Sequence, residues 1–219
     1  MYSTVIENYI KTIYHLHLLH ERVSTTELSQ ALKVKSASVT DMLQRLEELE
    51  LVDYKKYQGA ILTEKGHQKA IELVRKHRLW EVFLVEKLQF NWSEVHAVAE
   101  QLEHIQSVKL IDNLEAFLGY PKWDPHGDPI PDKEGKFAPR EQIPLFDLSI
   151  GESGTILGVT VDDEQFLRFL EETQLIIGKT ITIKNFHQFD ESIQIEIEKT
   201  PINLSKKVAS SILVRRITL

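Results

Sequence analysis

Ser36-Ala37-Ser38-Val39-Thr40-Asp41-Met42-Leu43-Gln44-Arg45-Leu46-Glu47-Glu48-Leu49 is the segment from which the architecture of this chain follows. Val39, Leu43, Leu46 and Leu49 recur at helical spacing and face inward, while the helix opens on small polar residues. Ahead of it, Ser24 and Glu27 stand at capping-box spacing and open a short helix to about Leu32, and Lys33-Val34-Lys35 breaks the chain between the two. Two short helices joined by a tight turn read as a helix-turn-helix. A recognition helix needs small or hydrogen-bonding side chains near its start so that the backbone can approach base edges. Ser36, Ala37, Ser38 and Thr40 suit that role, with Lys35 just ahead and Gln44 a turn further on. Leu51 to Tyr57 then runs to Gln58-Gly59, and Ala60-Ile61-Leu62-Thr63 returns, which is a short hairpin in the position of a wing. Lys55 and Lys56 lie where a wing meets phosphates. A plain helical hairpin or a solvated lysine pair is common, and it is the combination that points to double-stranded DNA.

Working outward, Thr4 and Glu7 have capping-box spacing, and Ile6, Tyr9, Ile10, Ile13 and Tyr14 give a first helix of about four turns with Asn8 near its start. Beyond the wing, Thr63 is placed to cap a long helix from Glu64 to about Leu88, on which His77 and Glu81 stand four apart on one face, within reach of a common ion. Ser93 is expected to cap the next helix, which is expected to continue to Leu118. Its apolar stripe is Val95, Val98, Ala99, Leu102 and Ile105. At roughly 100° per residue, His96, Glu100, Glu103 and His104 fall on one arc beside that stripe. Two imidazoles and two carboxylates are metal-ligand types. His96 and His104 are about 12 Å apart along the axis, so the geometry suggests two sites, each completed from elsewhere in the chain. His77 and Glu81 are the obvious partners for His96. A solvated face with helical charge pairs is the alternative that these residues alone leave open.

Six of the seven prolines (Pro121, Pro125, Pro129, Pro131, Pro139 and Pro144) fall in one polar stretch, which reads as a linker with His126 as a loop residue, a metal contact being its alternative. From Leu145 the texture becomes β. Strand candidates are 155–161, 179–183, 192–197 and 213–217, with a short helix from Gln165 to Gln174, and together they suggest a small barrel. The net charge of −7 over 219 residues argues against indiscriminate coating of nucleic acid, so DNA binding here needs local basic patches, a positive cofactor or both. With no cysteine there are no disulfides and no thiolate ligands. No apolar run approaches the roughly 18 residues of a membrane span and no signal-peptide pattern opens the chain, so a cytoplasmic protein without a membrane partner is expected.

These pieces, in this order, resemble the diphtheria toxin repressor family of metal-dependent bacterial transcription regulators. The resemblance runs from Glu7-Asn8-Tyr9-Ile10-Lys11 through Ser36-Ala37-Ser38-Val39-Thr40 and the wing, then Arg75-Lys76-His77-Arg78-Leu79-Trp80-Glu81, His96, Glu100-Gln101-Leu102-Glu103-His104 and Gly127-Asp128-Pro129-Ile130-Pro131 into the C-terminal domain. It implies a mainly α protein with a small β part: an N-terminal winged helix-turn-helix (1–63), a helical metal-binding and dimerisation domain (64–118), a Pro-rich linker (119–143) and a C-terminal SH3-like barrel (144–219). Carried over by motif, a primary metal site would use Asn8, Glu100, Glu103 and His104, and an ancillary site His77, Glu81 and His96. The segment Val161-Asp162-Asp163-Glu164-Gln165-Phe166 adds Asp162 and Gln165 to the second site. Manganese-sensing members carry a carboxylate where iron sensors often have cysteine, so Glu100 implies Mn²⁺, with Fe²⁺ as the alternative; Asn8 departs from the family by offering a neutral amide oxygen. The function implied is a homodimeric repressor of metal-uptake genes that binds operator DNA when loaded with a divalent ion. A carboxylate–histidine metalloenzyme, or a winged-helix regulator sensing a small organic ligand, are the alternatives.

Overall fold

The computed structural model describes residues 2–139, 142–161 and 163–217. Two compact units emerge, one built from Met1–His77, Gln101–Val108 and Pro131–Lys136, the other from Arg78–Glu100, Lys109–Ile130 and Phe137–Leu219.

In the first unit, α1 (Thr4–His17), α2 (Thr25–Leu32) and α3 (Ser36–Glu48) lead into a hairpin of β1 (Val52–Lys55) and β2 (Gly59–Leu62), followed by the long α4 (Glu64–Leu88). The Ser24–Glu27 capping box forms in both directions and starts α2 where the sequence places it. The cap of α1 is Ser3, whose hydroxyl accepts from the Ile6 N–H at 3.4 Å, one residue before the expected Thr4. Thr63 caps α4 as expected, accepting from the Gly66 N–H at 3.1 Å. Ile6, Ile10 and Ile13 of α1 pack with Leu28, Val39, Leu43, Leu46, Leu51 and Val74 into one core, which fixes α1 against the helix-turn-helix. Val23 exchanges two 2.8 Å backbone hydrogen bonds with Ala60 and so lends the wing a third strand segment.

The second unit holds the remainder of α4, most of α5 (Trp92–Leu102) and of α6 (Val108–Phe117), and the β-rich C-terminal part. The latter comprises β3 (Ile143–Pro144), β4 (Ser153–Val159), α7 (Glu164–Glu172), β5 (Thr180–His187), β6 (Ser192–Ile197), β7 (Thr200–Leu204), α8 (Lys206–Ser211) and β8 (Ile212–Arg216). Its strands form one antiparallel sheet in the order β3-β8-β4-β5-β6-β7. Period-two alternation buries Ile181 and Ile183 on β5 and Ile193, Ile195 and Ile197 on β6, with Leu167 and Leu170 of α7 packed on them. Trp92 belongs to the same core. Its N–H donates to Glu171 Oε1 at 2.6 Å, so a carboxylate from α7 satisfies the start of α5, and Ser93, the expected cap, lies 3.5 Å from the same carboxylate.

The continuous helix expected from Ser93 to Leu118 is broken. α5 ends at Leu102 and α6 begins at Val108. Gln106 explains the break: its side-chain amide donates to the His104 carbonyl at 3.0 Å and to Glu7 Oε1 on α1 at 2.9 Å. These bonds, with the Ile105 N–H on the Leu102 carbonyl, outweigh a helical propensity that no Gly or Pro opposes. Among the described residues no helix is long and apolar enough to cross a membrane.

Candidate metal centres and nucleic-acid interface

The start of α3 is exposed at Ser36, Ala37 and Ser38, with Lys35 as its exposed N-cap residue and Gln44 exposed further along. Thr40 is half-buried, its hydroxyl donating to the Ser36 carbonyl at 3.1 Å. Lys55 and Lys56 are exposed on the hairpin; Lys55 reaches Asp53 at 4.0 Å, and Lys56 lies 5.3 Å from the Tyr57 ring centroid. The helix thus presents short side chains that let its backbone come close to base edges, beside lysines able to meet phosphates.

A buried polar cluster lies in the same unit. Glu103 has no exposed surface, and its Oε2 accepts from Lys11 Nζ at 2.7 Å and faces His77 Nδ1 at 2.6 Å. Its Oε1 is buried without a hydrogen-bond partner among the described residues, and His104 Nε2 stands 3.8 Å from it. Burial pushes the Glu103 carboxyl up, but the hydrogen bond from His77 and the Lys11 charge hold it below its ordinary value. His104 Nδ1 lies 2.7 Å from Glu7 Oε2, and Lys69 Nζ is 3.8 Å from Glu7 Oε1. Asn8, expected among the ligands, is half-buried and makes no side-chain hydrogen bond among the described residues; the inward place on α1 belongs to its neighbour Glu7. Nothing in the sequence separated Glu7 from an ordinary first-turn carboxylate. The chemistry suits a divalent ion: an orphaned carboxylate oxygen next to an imidazole, with a second carboxylate behind it.

The second unit gathers another set around Glu81, which is buried on α4 one turn after His77. Its Oε1 lies 3.4 Å from His96 Nδ1 and 3.8 Å from His126 Nδ1. Glu81, Asp124 and His126 are all buried and bring one donor atom each within 4.8 Å of one another. Glu100 is exposed near the end of α5, 3.7 Å from His96 Nε2. Gln165 is exposed in the first turn of α7, and Asp162 lies outside the described residues.

Asp124 was not among the candidates read from the sequence, and His126 was read first as a loop residue with metal contact as the alternative, because both sit in the proline-rich stretch read as a linker. That stretch is folded: Trp123 bridges to Pro129, and Asp124 Oδ1 accepts from the backbone N–H of His126 at 2.9 Å and of Asp128 at 2.8 Å. Gly127, at φ +85°, lets this turn press on β4; a Cβ there would lie 2.0 Å from the Leu157 carbonyl oxygen. The Val159 N–H then donates to the His126 carbonyl at 2.8 Å. Arg78 reaches Asp124 at 3.4 Å, Asp128 at 3.2 Å and the Pro129 carbonyl at 2.6 Å. Even so, burial and the charge of Glu81 push the Asp124 carboxyl up to about 8.

Comparison with known proteins bears on all three parts. Residues 1–60 match the iron dependent repressor N-terminal DNA binding domain, residues 63–132 the iron dependent repressor metal binding and dimerisation domain, and residues 143–216 the FeoA domain. The chain is 35% identical over 119 residues to the HTH-type transcriptional regulator MntR of Oceanobacillus iheyensis, covering 54% of this chain and 80% of that one. It is 34% identical over 125 residues to the iron-dependent repressor IdeR of Mycobacterium tuberculosis, covering 57% and 54%. A solved manganese-dependent transcriptional repressor in complex with manganese superposes with a TM-score of 0.82 at 30% identity, over 97% of this chain and all of that one.

Proposed function

The chain belongs to the iron-dependent repressor family of metal-dependent DNA-binding regulators, and on that premise we propose that Mn²⁺ activates it to repress genes for metal-ion uptake. The relatives that match across the DNA-binding and metal-binding domains are transcription regulators, which sets aside the metalloenzyme alternative. The observation that carries the reading is the buried Glu103 carboxylate with one unsatisfied oxygen facing His104, on a turn bonded to α1 through Gln106 and Glu7.

In this reading a first ion is held by Glu103 and His104, with Glu7 and the Asn8 amide oxygen contributed from α1. A second is held by Glu81, Asp124 and His126, with His96 beside them. A bound divalent ion supplies the positive charge that lets these carboxylates stay together without protons. Glu7 and Asn8 sit on the helix whose Ile6, Ile10 and Ile13 pack on the core of α2 and α3, so tying α1 to the 103–106 turn fixes the helix that carries Ser36, Ala37, Ser38 and Gln44. Lys35, Lys55 and Lys56 then face the phosphate backbone, and the short side chains face base edges. Oxygen donors with imidazole and no thiolate favour Mn²⁺; the likeness to a manganese-bound repressor supports it, while the likeness to an iron-dependent repressor keeps Fe²⁺ as the second ion to test.

The test is fluorescence anisotropy of promoter duplexes from metal-transporter genes at fixed salt, with Mn²⁺, with anaerobic Fe²⁺ and with chelator. Wild type is expected to bind in Mn²⁺ and lose at least tenfold in affinity in chelator, and Glu103→Gln and His104→Ala are expected to stay at the chelator level. Metal-independent binding by all three proteins would sink the reading.

A further inference from the structure

Lys11 is an uncommon residue to find inside a cation site. Its side chain is only 10% exposed, and its ammonium contacts a carboxylate with no exposed surface at 2.7 Å. A buried ammonium is costly unless paired, and here the pairing uses the same carboxylate that the proposed function assigns to the activating metal. The two oxygens of Glu103 are divided. Oε2 is taken by Lys11 and His77, whereas Oε1 is left facing His104. An ion seated on Oε1 and the His104 imidazole therefore lies within the width of one carboxylate of a fixed positive charge. Lys11 also follows Glu7 by four residues on α1, one helical turn, so one short helix carries both a candidate metal donor and this ammonium.

We propose that Lys11 is an internal stand-in for the activating cation, neutralising Glu103 while metal is absent and competing with the ion for that carboxylate. The inference rests on the reading that Glu103 and His104 hold the first ion. Two properties follow from it. The metal-free protein keeps a folded, charge-balanced interior, because a buried carboxylate that would otherwise have only the His77 imidazole beside its Oε2 also has a fixed positive charge. The threshold for metal occupancy is also set above what the donor set alone would give, because binding must weaken the Lys11–Glu103 pair. That weakening occurs on α1, the helix packed against α2 and α3, so release of the ammonium is itself a movement the DNA-binding unit can register.

Isothermal titration with Mn²⁺ tests this on full-length wild type, Lys11→Met, Lys11→Gln and Glu103→Gln, together with thermal melting of each protein with and without the ion. Lys11→Met is expected to bind Mn²⁺ about tenfold more tightly, to melt at a lower temperature without metal, and to gain more from metal than wild type does. Lys11→Gln keeps a hydrogen-bond donor but not the charge, and it is expected to bind more tightly as well; it also covers the case in which the methionine variant folds poorly. Equal or weaker Mn²⁺ affinity in both Lys11 variants, with Glu103→Gln abolishing first-site binding, would overturn the competition while leaving the metal site standing. Wild-type binding by Glu103→Gln would overturn both.

Discussion

Asp124 links folding to a proton and, in the proposed second site, to a metal ion as well. Burial and the adjacent Glu81 charge hold its proton up to about pH 8, against an ordinary carboxyl value of 3.8. Between those values the unfolded chain binds fewer protons at this position than the folded one. The stability of the metal-free protein therefore falls as pH rises across that window, and the contribution is fully present only below the lower value. Urea unfolding of metal-free protein at several pH values is expected to show this decline, and Asp124→Asn is expected to flatten it; identical pH slopes in the two would rule Asp124 out as the proton holder. Cation binding at Glu81, Asp124 and His126 has to expel the same proton, so Mn²⁺ uptake there is expected to release a proton below pH 8. Calorimetry in two buffers of different ionisation enthalpy reads that release directly. The sequence made His77, Glu81, His96, Glu103 and His104 visible because imidazoles and carboxylates at helical spacing are conspicuous. Asp124 was hidden, and His126 ranked first as a loop residue, because the prolines around them read as punctuation although the segment folds into a tight turn on β4. Glu7 was hidden for a different reason, since an acidic residue in a first turn is common on any helix.

Single elements follow local rules where local hydrogen bonds decide, and depart from them where distant partners do. α2 begins where its capping box predicts because both reciprocal bonds close within four residues. Ser24→Ala is accordingly expected to cost about 1 kcal/mol, read as a lowered urea midpoint with unchanged slope. The break between α5 and α6 was not legible, because the groups that satisfy it, Glu7 above all, lie nearly a hundred positions away along the chain. Nor was β7 expected: Thr200-Pro201-Ile202-Asn203-Leu204 carries a proline and lies at one end of the sheet order, where a missing N–H is tolerated. The turn at Gly127 is the element that holds Asp124 and His126 of the proposed second metal set in place. Gly127→Ala forces a Cβ toward the Leu157 carbonyl at a positive φ, so it is expected to destabilise the C-terminal unit by about 1–3 kcal/mol and to weaken metal binding by Asp124 and His126 while sparing Glu103 and His104. Equal loss at both sites would argue against that assignment.

At the scale of the whole molecule, a chain of net charge −7 binds DNA only through local positive charge and shape, so operator affinity is expected to fall steeply with added salt even when metal is saturating. A single winged helix presents few phosphate contacts, and a two-fold dimer doubles them on a palindromic site. The chain matches a dimerisation domain, and the second unit shows apolar surface of the kind a partner copy would cover. Phe117 at the end of α6 is 66% exposed although its ring lies 6.3 Å from Phe83 and under Lys87, and Leu88 and Leu110 are exposed too. We assign this surface to self-association. Phe117→Asp would place a charge where a second copy has to exclude water, and it is expected to shift the protein to monomer in sedimentation equilibrium at micromolar concentration. Because Glu103 and His104 belong to the other unit, Mn²⁺ binding there is expected to persist in the variant while operator affinity falls at least tenfold and the salt dependence becomes shallower. A variant that stays dimeric with unchanged operator affinity would place the two-fold contact on another face.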